Sequence, residues 1–70
     1  MTLGEKIRTE REKRHWSPVY LSIEVGACQT SVYQWENDER LPRLNVFFAM
    51  VKAFNMSFDE FMKGVEIDGQ

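Results

Sequence analysis

The chain has 70 residues, about the size of one small domain, and a formal net charge of −2 at pH 7. Its single cysteine excludes an intramolecular disulfide. The lack of a long apolar run and of a secretory signal pattern predicts a cytoplasmic protein with no membrane partner. Nucleic-acid binders are usually basic, so this balance argues against a large cationic surface, but it does not exclude a small local one.

The first predicted helix covers residues 3–14. Thr2 and Glu5 have the spacing of a capping box at its start. Its apolar face is thin, and continuing that face reaches Arg11, which needs a partner if it is buried. The face contains two apolar residues, Leu3 and Ile7. We expect the other charges to pair at helical spacing on a solvated face: Arg8 with Glu12, and Glu10 with Arg14.

A second helix is predicted between Ser17 and Gly26. Serine is a favoured N-cap, and the following Pro18 suits the first helical position. Leu21 and Val25, four residues apart, share one face. Gly26 suits the left-handed residue at which a helix commonly ends. These signals predict a short helix followed by a tight turn.

The third predicted helix opens with the polar residues 29–31 and ends near Asn37, which tolerates left-handed geometry. Val32 and Trp35 lie on one side of it. The opposite side is rich in amides and hydroxyls. A core-held helix with a polar outer side, preceded by a short helix and a tight turn, is the way a helix-turn-helix motif presents its second helix to the DNA major groove.

The last third of the chain predicts a loop over residues 38–43 and helices over residues 44–54 and 58–63. Ser57 and Glu60 form a second capping-box pattern. The fourth helix has a wide apolar face, made of Leu44, Phe47, Met50, Val51 and Phe54. We expect one domain over residues 1–64 and a frayed tail over 65–70.

Five helices and no strand pattern predict an all-α fold. His15 and Cys28 are not accompanied by residues at metal-ligand or catalytic spacing. There is also no glycine-rich phosphate loop. We therefore expect no metal, no cofactor and no enzymatic activity.

Four stretches stand in a recognisable order: LGEKIRTER, SPVYLSIEVGA, SVYQWEN, and LP followed by NMSFDEF. Together they resemble the Cro and phage-repressor type of helix-turn-helix domain, also called the XRE family, over about residues 3–63. The resemblance implies a compact five-helix, lambda-repressor-like DNA-binding domain with the helix-turn-helix at helices two and three.

The resemblance also assigns roles to individual residues. It implies a structural ion pair between Arg11 and Glu36, the partner that the first helix requires. The implied base-reading residues are Gln29, Thr30, Ser31, Tyr33 and Gln34. The implied phosphate-binding residues are Ser17, Asn37, Arg40 and Arg43. We expect Asp38 and Glu39 to lie near the phosphate path.

The function implied by the resemblance is sequence-specific binding to double-stranded DNA through the major groove. A homodimer on a palindromic operator, acting as a small transcriptional regulator and most simply as a repressor, fits this type of domain. The alternative is a protein-interaction module of the same fold, an antitoxin-like or anti-repressor partner with weak or no DNA binding.

Overall fold

The computed structural model describes residues 1–66 of the chain. Five α-helices follow one another: α1 Leu3–Lys13, α2 Pro18–Val25, α3 Gln29–Glu36, α4 Leu44–Ala53 and α5 Phe58–Met62. The described residues contain no strand, so the predicted all-α, five-helix fold is confirmed. Helices α1, α3, α4 and α5 end about one residue earlier than predicted, at positions where helix ends normally fray.

Both predicted capping boxes are present. At α1, the Thr2 hydroxyl accepts the Glu5 N–H at 3.1 Å, and the Glu5 carboxylate accepts the Thr2 N–H at 2.8 Å. Ser57 and Glu60 repeat this arrangement at α5, at 3.0 and 2.8 Å. Each box satisfies backbone donors that the first turn of a helix leaves without partners. These local bonds explain why both helices begin where the sequence places them.

All five helices contribute to a single core. It consists of Ile7, Leu21, Val25, Val32, Trp35, Phe47, Met50, Val51, Phe54 and Phe61. The predicted apolar face of α4 needs one correction, because Leu44 is 68% exposed. Leu44 is the first residue of α4, and Phe47, one turn later, is the first α4 side chain to be buried in the core. Helical spacing alone does not reveal where along a face the core begins.

The sequence suggested that the charged side of α1 is solvated, but part of this side is buried. Glu10 is 2% exposed and pairs with Arg14 at 2.8 Å, Lys6 at 3.1 Å and Lys13 at 3.3 Å. Burial by itself would raise the pKa of Glu10, but the hydrogen bonds from these three cations lower it from 4.5 to about 2. The predicted pair of Glu10 with Arg14 is therefore present, but in a buried cluster.

Helices α1 and α3 meet closely at Gly4. A Cβ atom at this position would lie 2.8 Å from the Glu36 carbonyl oxygen and would also collide with the Trp35 carbonyl oxygen. The Gly4 N–H donates to Asp38 Oδ1 at 3.0 Å, and the Thr2 hydroxyl donates to Asp38 Oδ2 at 2.8 Å. Asp38, rather than Asn37, adopts the left-handed conformation after α3, with φ of 60°. The Asp38 carboxylate thus caps α1, a role that the sequence did not suggest.

The end of the described chain lies beside its start. Val65 N–H donates to the Met62 carbonyl at 3.0 Å, and Glu66 N–H donates to the Met1 carbonyl at 2.8 Å. Residues 67–70 of the predicted frayed tail lie outside the described residues, so the domain boundary stays a prediction. Within residues 1–66, no helix has both the length and the apolarity that a membrane crossing requires.

Candidate nucleic-acid interface

Helix α3 is anchored on one side and accessible on the other. Val32, Trp35 and Glu36 are buried against the rest of the domain. The buried positions recur every three to four residues, so the remaining positions of this eight-residue helix form one continuous outer face. The anchoring gives that face a fixed orientation relative to the domain.

The five predicted base-reading residues occupy this outer face. Gln29, Thr30 and Tyr33 are exposed, whereas Ser31 and Gln34 are half-buried. At 3.6 residues per turn, Thr30 and Gln34 lie at its centre. Gln29 and Tyr33 lie along one edge, and Ser31 lies along the other. The face therefore has two distinct edges rather than five equivalent positions.

Gln29 and Tyr33 contact each other across one helical turn. The Gln29 Nε2 atom donates a hydrogen bond to the Tyr33 hydroxyl oxygen at 2.8 Å. Residues four apart on a helix lie on the same face, which permits this bond. The amide of Gln29 is thereby held by a neighbouring side chain instead of turning independently.

The opposite edge begins at the turn before α3. Cys28 is the N-cap residue, and its Sγ atom lies 3.2 Å from the Ser31 hydroxyl oxygen. The hydrogen bond with the Ser31 hydroxyl lowers the pKa of the Cys28 thiol. Ser31 is therefore already engaged with its own helix start.

The end of α3 is tied to α1 by the residues that the resemblance paired. Arg11 Nε donates to Glu36 Oε2 at 2.6 Å, and Arg11 Nη2 donates to Glu36 Oε1 at 3.1 Å. The hydrogen bond to Glu36 raises the pKa of the Arg11 guanidinium. Arg8 Nε also reaches Glu36 Oε1, at 3.3 Å, so the predicted pairing of Arg8 with Glu12 is wrong. Arg11 Nη1 additionally donates to the Trp16 carbonyl at 2.8 Å, which fixes the turn before α2.

Two of the four predicted phosphate-binding residues border the outer face of α3. Arg40 and Arg43 line an open groove of about 400 Å³, together with Ser31 and Gln34. A groove flanked by two guanidinium groups and by polar side chains suits a phosphate backbone next to a base edge.

The other two predicted phosphate-binding residues are exposed but belong to different places. Ser17 is the N-cap of α2, and its hydroxyl accepts the Tyr20 N–H at 3.0 Å. Asn37 is the C-cap of α3. The structure thus brings Arg40 and Arg43 together at the groove and leaves Ser17 and Asn37 apart from it.

One polar residue of the groove was missed in the sequence. Asn45, exposed in the first turn of α4, lines the groove beside Arg43. The first turn of a helix has backbone N–H groups that attract anions, and an amide there can bind phosphate. The position of Asn45 directly after a predicted helix start was the signal that could have identified it.

Comparison with known proteins shows the same architecture elsewhere. The family model described as helix-turn-helix matches residues 7–61. Over 62 residues, the chain is 34% identical to repressor protein C2 of Salmonella phage P22. The aligned region covers 89% of this chain and 29% of that protein. The chain therefore spans less than a third of the length of this relative.

Two solved structures of the P22 C2 repressor superpose closely on the chain. The solution structure of its DNA-binding domain has a TM-score of 0.84 at 33% identity and covers 91% of this chain and 84% of that chain. The crystal structure of the repressor in complex with synthetic operator 9T, in the presence of Tl⁺, has a TM-score of 0.83 at 33% identity. It covers 91% of this chain and 97% of that chain. The predicted lambda-repressor-like fold is confirmed, and the chain belongs to the helix-turn-helix family, in its phage-repressor type.

Proposed function

We propose that this protein binds specific sequences of double-stranded DNA by inserting the outer face of α3 into the major groove, and that it acts as a small repressor-type transcriptional regulator. The observation that carries the proposal is the polar outer face of a helix whose other side is buried. Glutamine can pair with adenine through two hydrogen bonds, and threonine can contact the thymine methyl group. Membership of the helix-turn-helix family indicates a binding role rather than a catalytic one.

The arginines beside this face support the proposal. Arg40 and Arg43 border the groove that Ser31 and Gln34 also line, so phosphate contacts and base contacts would come from adjacent surfaces. The net charge of −2 does not oppose this arrangement, because phosphate binding depends on where the cations lie. The Asp38 carboxylate is engaged with Gly4 and Thr2 of the α1 start.

The relative from phage P22 supports the regulatory part of the proposal. That protein is a repressor, and one of its structures is a complex with an operator. By analogy, we propose that two copies of this chain bind a palindromic operator with half-sites about 34–36 Å apart, one helical turn of DNA. Such a role places the protein with the DNA, in the cytoplasm.

Selection of bound duplexes from a random pool tests the proposal directly. We expect a palindromic consensus and an affinity for it that falls steeply with salt, because each neutralised phosphate releases counterions. Replacing Arg40 or Arg43 by alanine should weaken binding to all sequences and lower the salt slope by about 1 each. Lys52→Ala is the matched control, since Lys52 is exposed at the other end of α4. Failure to bind any duplex at low salt would overturn the proposal.

A protein-interaction role is the second candidate. It is favoured by the exposed side chains of Leu44, Phe48 and Phe58, of which the two phenylalanine rings lie 6.4 Å apart. Clustered exposed apolar residues often mark protein contacts. If Phe48 contacts another protein, Phe48→Ser should leave duplex binding unchanged. If Phe48 instead lies between the two copies on one operator, Phe48→Ser should weaken duplex binding. Sedimentation of the variant, free and bound to DNA, shows whether the two copies still assemble.

A further inference from the structure

We propose that Tyr33 is a positioning residue, whose hydroxyl oxygen holds the Gln29 amide in the orientation that reads adenine. This inference rests on the proposed DNA-binding function and refines it. The resemblance implied that Tyr33 reads a base directly, whereas the hydrogen bond from Gln29 assigns it a supporting role.

The hydrogen-bonding capacity of the Gln29 amide fits this role. The amide has two N–H donors on Nε2 and an acceptor, Oε1. One N–H is bonded to the Tyr33 hydroxyl oxygen at 2.8 Å. The second N–H and Oε1 are left for DNA, and they match the N7 acceptor and N6 donor that adenine presents in the major groove. A bidentate pair with adenine uses the N–H on the same side of the amide as Oε1, so the positioning role assigns the bond with Tyr33 to the other N–H.

Gln29 and Tyr33 also differ in how much rotamer freedom each side chain would lose on binding DNA. Glutamine loses much rotamer freedom when it is fixed, because three torsions separate its amide from the backbone. Tyrosine has two side-chain torsions and a rigid ring. Tyr33 is 46% exposed, so its side chain lies partly at the surface that would face DNA. Holding the amide before binding reduces the ordering that base recognition requires.

The hydroxyl of Tyr33 keeps its own proton while it accepts from Gln29. Tyr33 could therefore also contact DNA independently, by donating to a base or a phosphate. An independent contact and a positioning role differ in one measurable respect. Positioning requires Gln29, so removing the Tyr33 hydroxyl should have no effect once the Gln29 amide is absent.

The experiment compares Tyr33→Phe, Gln29→Ala and the double variant in the full chain, on duplexes that the selection identifies. Gln29→Ala should flatten the preference at one base pair. Tyr33→Phe should weaken the adenine preference at that same base pair about 3- to 10-fold, the range of one typical hydrogen bond, and leave other base pairs unchanged. The double variant should equal Gln29→Ala. Tyr20→Phe removes an exposed hydroxyl from α2 and should change no preference.

A second measurement uses the free protein. Tyr33→Phe should shift the nuclear magnetic resonance signals of the Gln29 side-chain amide, whereas Tyr20→Phe should not. Unshifted amide signals would overturn the inference, because the hydrogen bond would then be absent in solution.

Three results with DNA would also overturn it. The first is an adenine preference that Tyr33→Phe leaves unchanged. The second is a loss of affinity on Tyr33→Phe that is the same whether residue 29 is glutamine or alanine. The third is an adenine preference that Gln29→Ala leaves unchanged. In all three, the DNA-binding proposal stands, since the wild-type chain still binds its duplex. Absence of binding to every duplex would instead overturn both proposals together.

Discussion

Arg11 and Glu36 join α1 to the end of α3 through two hydrogen bonds of 2.6 and 3.1 Å. Both side chains are buried, and Arg8 adds a third contact to the same carboxylate at 3.3 Å. The thin apolar face of α1 is thereby supplemented by a charge contact to the helix that carries the proposed reading face. The orientation of that face depends on this pair.

Replacing Glu36 by alanine should lower the free energy of unfolding by about 3–5 kcal/mol, because Arg11 would be left buried without its partner. This is a large part of the roughly 4–10 kcal/mol expected for a domain of this size. Urea unfolding measures the loss, and Glu39→Ala, which removes an exposed carboxylate three residues later, is the matched control. Unchanged unfolding of the Glu36 variant would show that the pair does not support the fold.

The elements that the sequence predicted well depend on neighbouring residues. The capping boxes at Thr2 and Ser57 involve residues three apart, and the polar face of α3 follows from its helical period. The burial of Glu10 was not predictable in this way. Its cations Lys6 and Arg14 lie over the rings of Phe61 and Phe54, which come from the far end of the chain.

The proposed site also combines features set by neighbouring residues with features set by residues far apart in the chain. The identity of its outward residues could be predicted from spacing and from the family resemblance. The groove that joins Arg40 to Asn45 could not, because it forms where the loop after α3 meets the start of α4. The contact of Asp38 with Gly4 spans 34 residues and likewise depends on how α1 packs against α3.

Glu10 should make stability depend on pH. Its pKa is about 2 in the folded chain and 4.5 ordinarily, so its ionised form stabilises the fold above pH 4.5, and this contribution is lost as the pH falls through about 2. Glu10→Gln should therefore lower the free energy of unfolding at pH 7 by about 3 kcal/mol. The difference from wild type should narrow below pH 4.5.

Urea unfolding at pH 7 and pH 3 tests this dependence. Glu12→Gln is the control on the same helix, because the Glu12 side chain is 63% exposed. That variant should follow the wild-type profile within about 0.5 kcal/mol, as surface substitutions usually do. A constant difference between Glu10→Gln and wild type at both pH values would contradict the proposed role of the Glu10 carboxylate.

Gly4→Ala should destabilise the domain, although alanine is the better helix former. Helix propensity alone predicts a gain of about 1 kcal/mol. The new Cβ atom would instead press on the carbonyl oxygens of Trp35 and Glu36, and backbone atoms in the last turn of a helix cannot rotate away as side chains can. We expect a net loss of about 1–3 kcal/mol, typical of overpacking. Thermal unfolding decides the sign, and a raised melting temperature would contradict the close packing of α1 on α3.

Asp38→Asn separates two possible effects of the Asp38 carboxylate in the loop after α3: stabilising the start of α1 and repelling the phosphates of bound DNA. Asparagine tolerates the left-handed conformation at this position, where φ is 60°. The substitution removes the negative charge at the start of α1 and weakens the acceptor for the Thr2 hydroxyl. We expect a loss of about 1 kcal/mol in the free energy of unfolding, as for a weakened helix cap.

Glu39→Gln is the matched control for Asp38→Asn, because it removes the same charge from the adjacent exposed residue. It should leave stability unchanged within about 0.5 kcal/mol. If Asp38 acts through Gly4 and Thr2, both variants should raise duplex affinity by the same small factor, since each removes one negative charge at a similar distance from the phosphates. A distinctly larger gain for Asp38→Asn, without loss of stability, would show that Asp38 opposes phosphate directly and that its contacts with α1 are secondary.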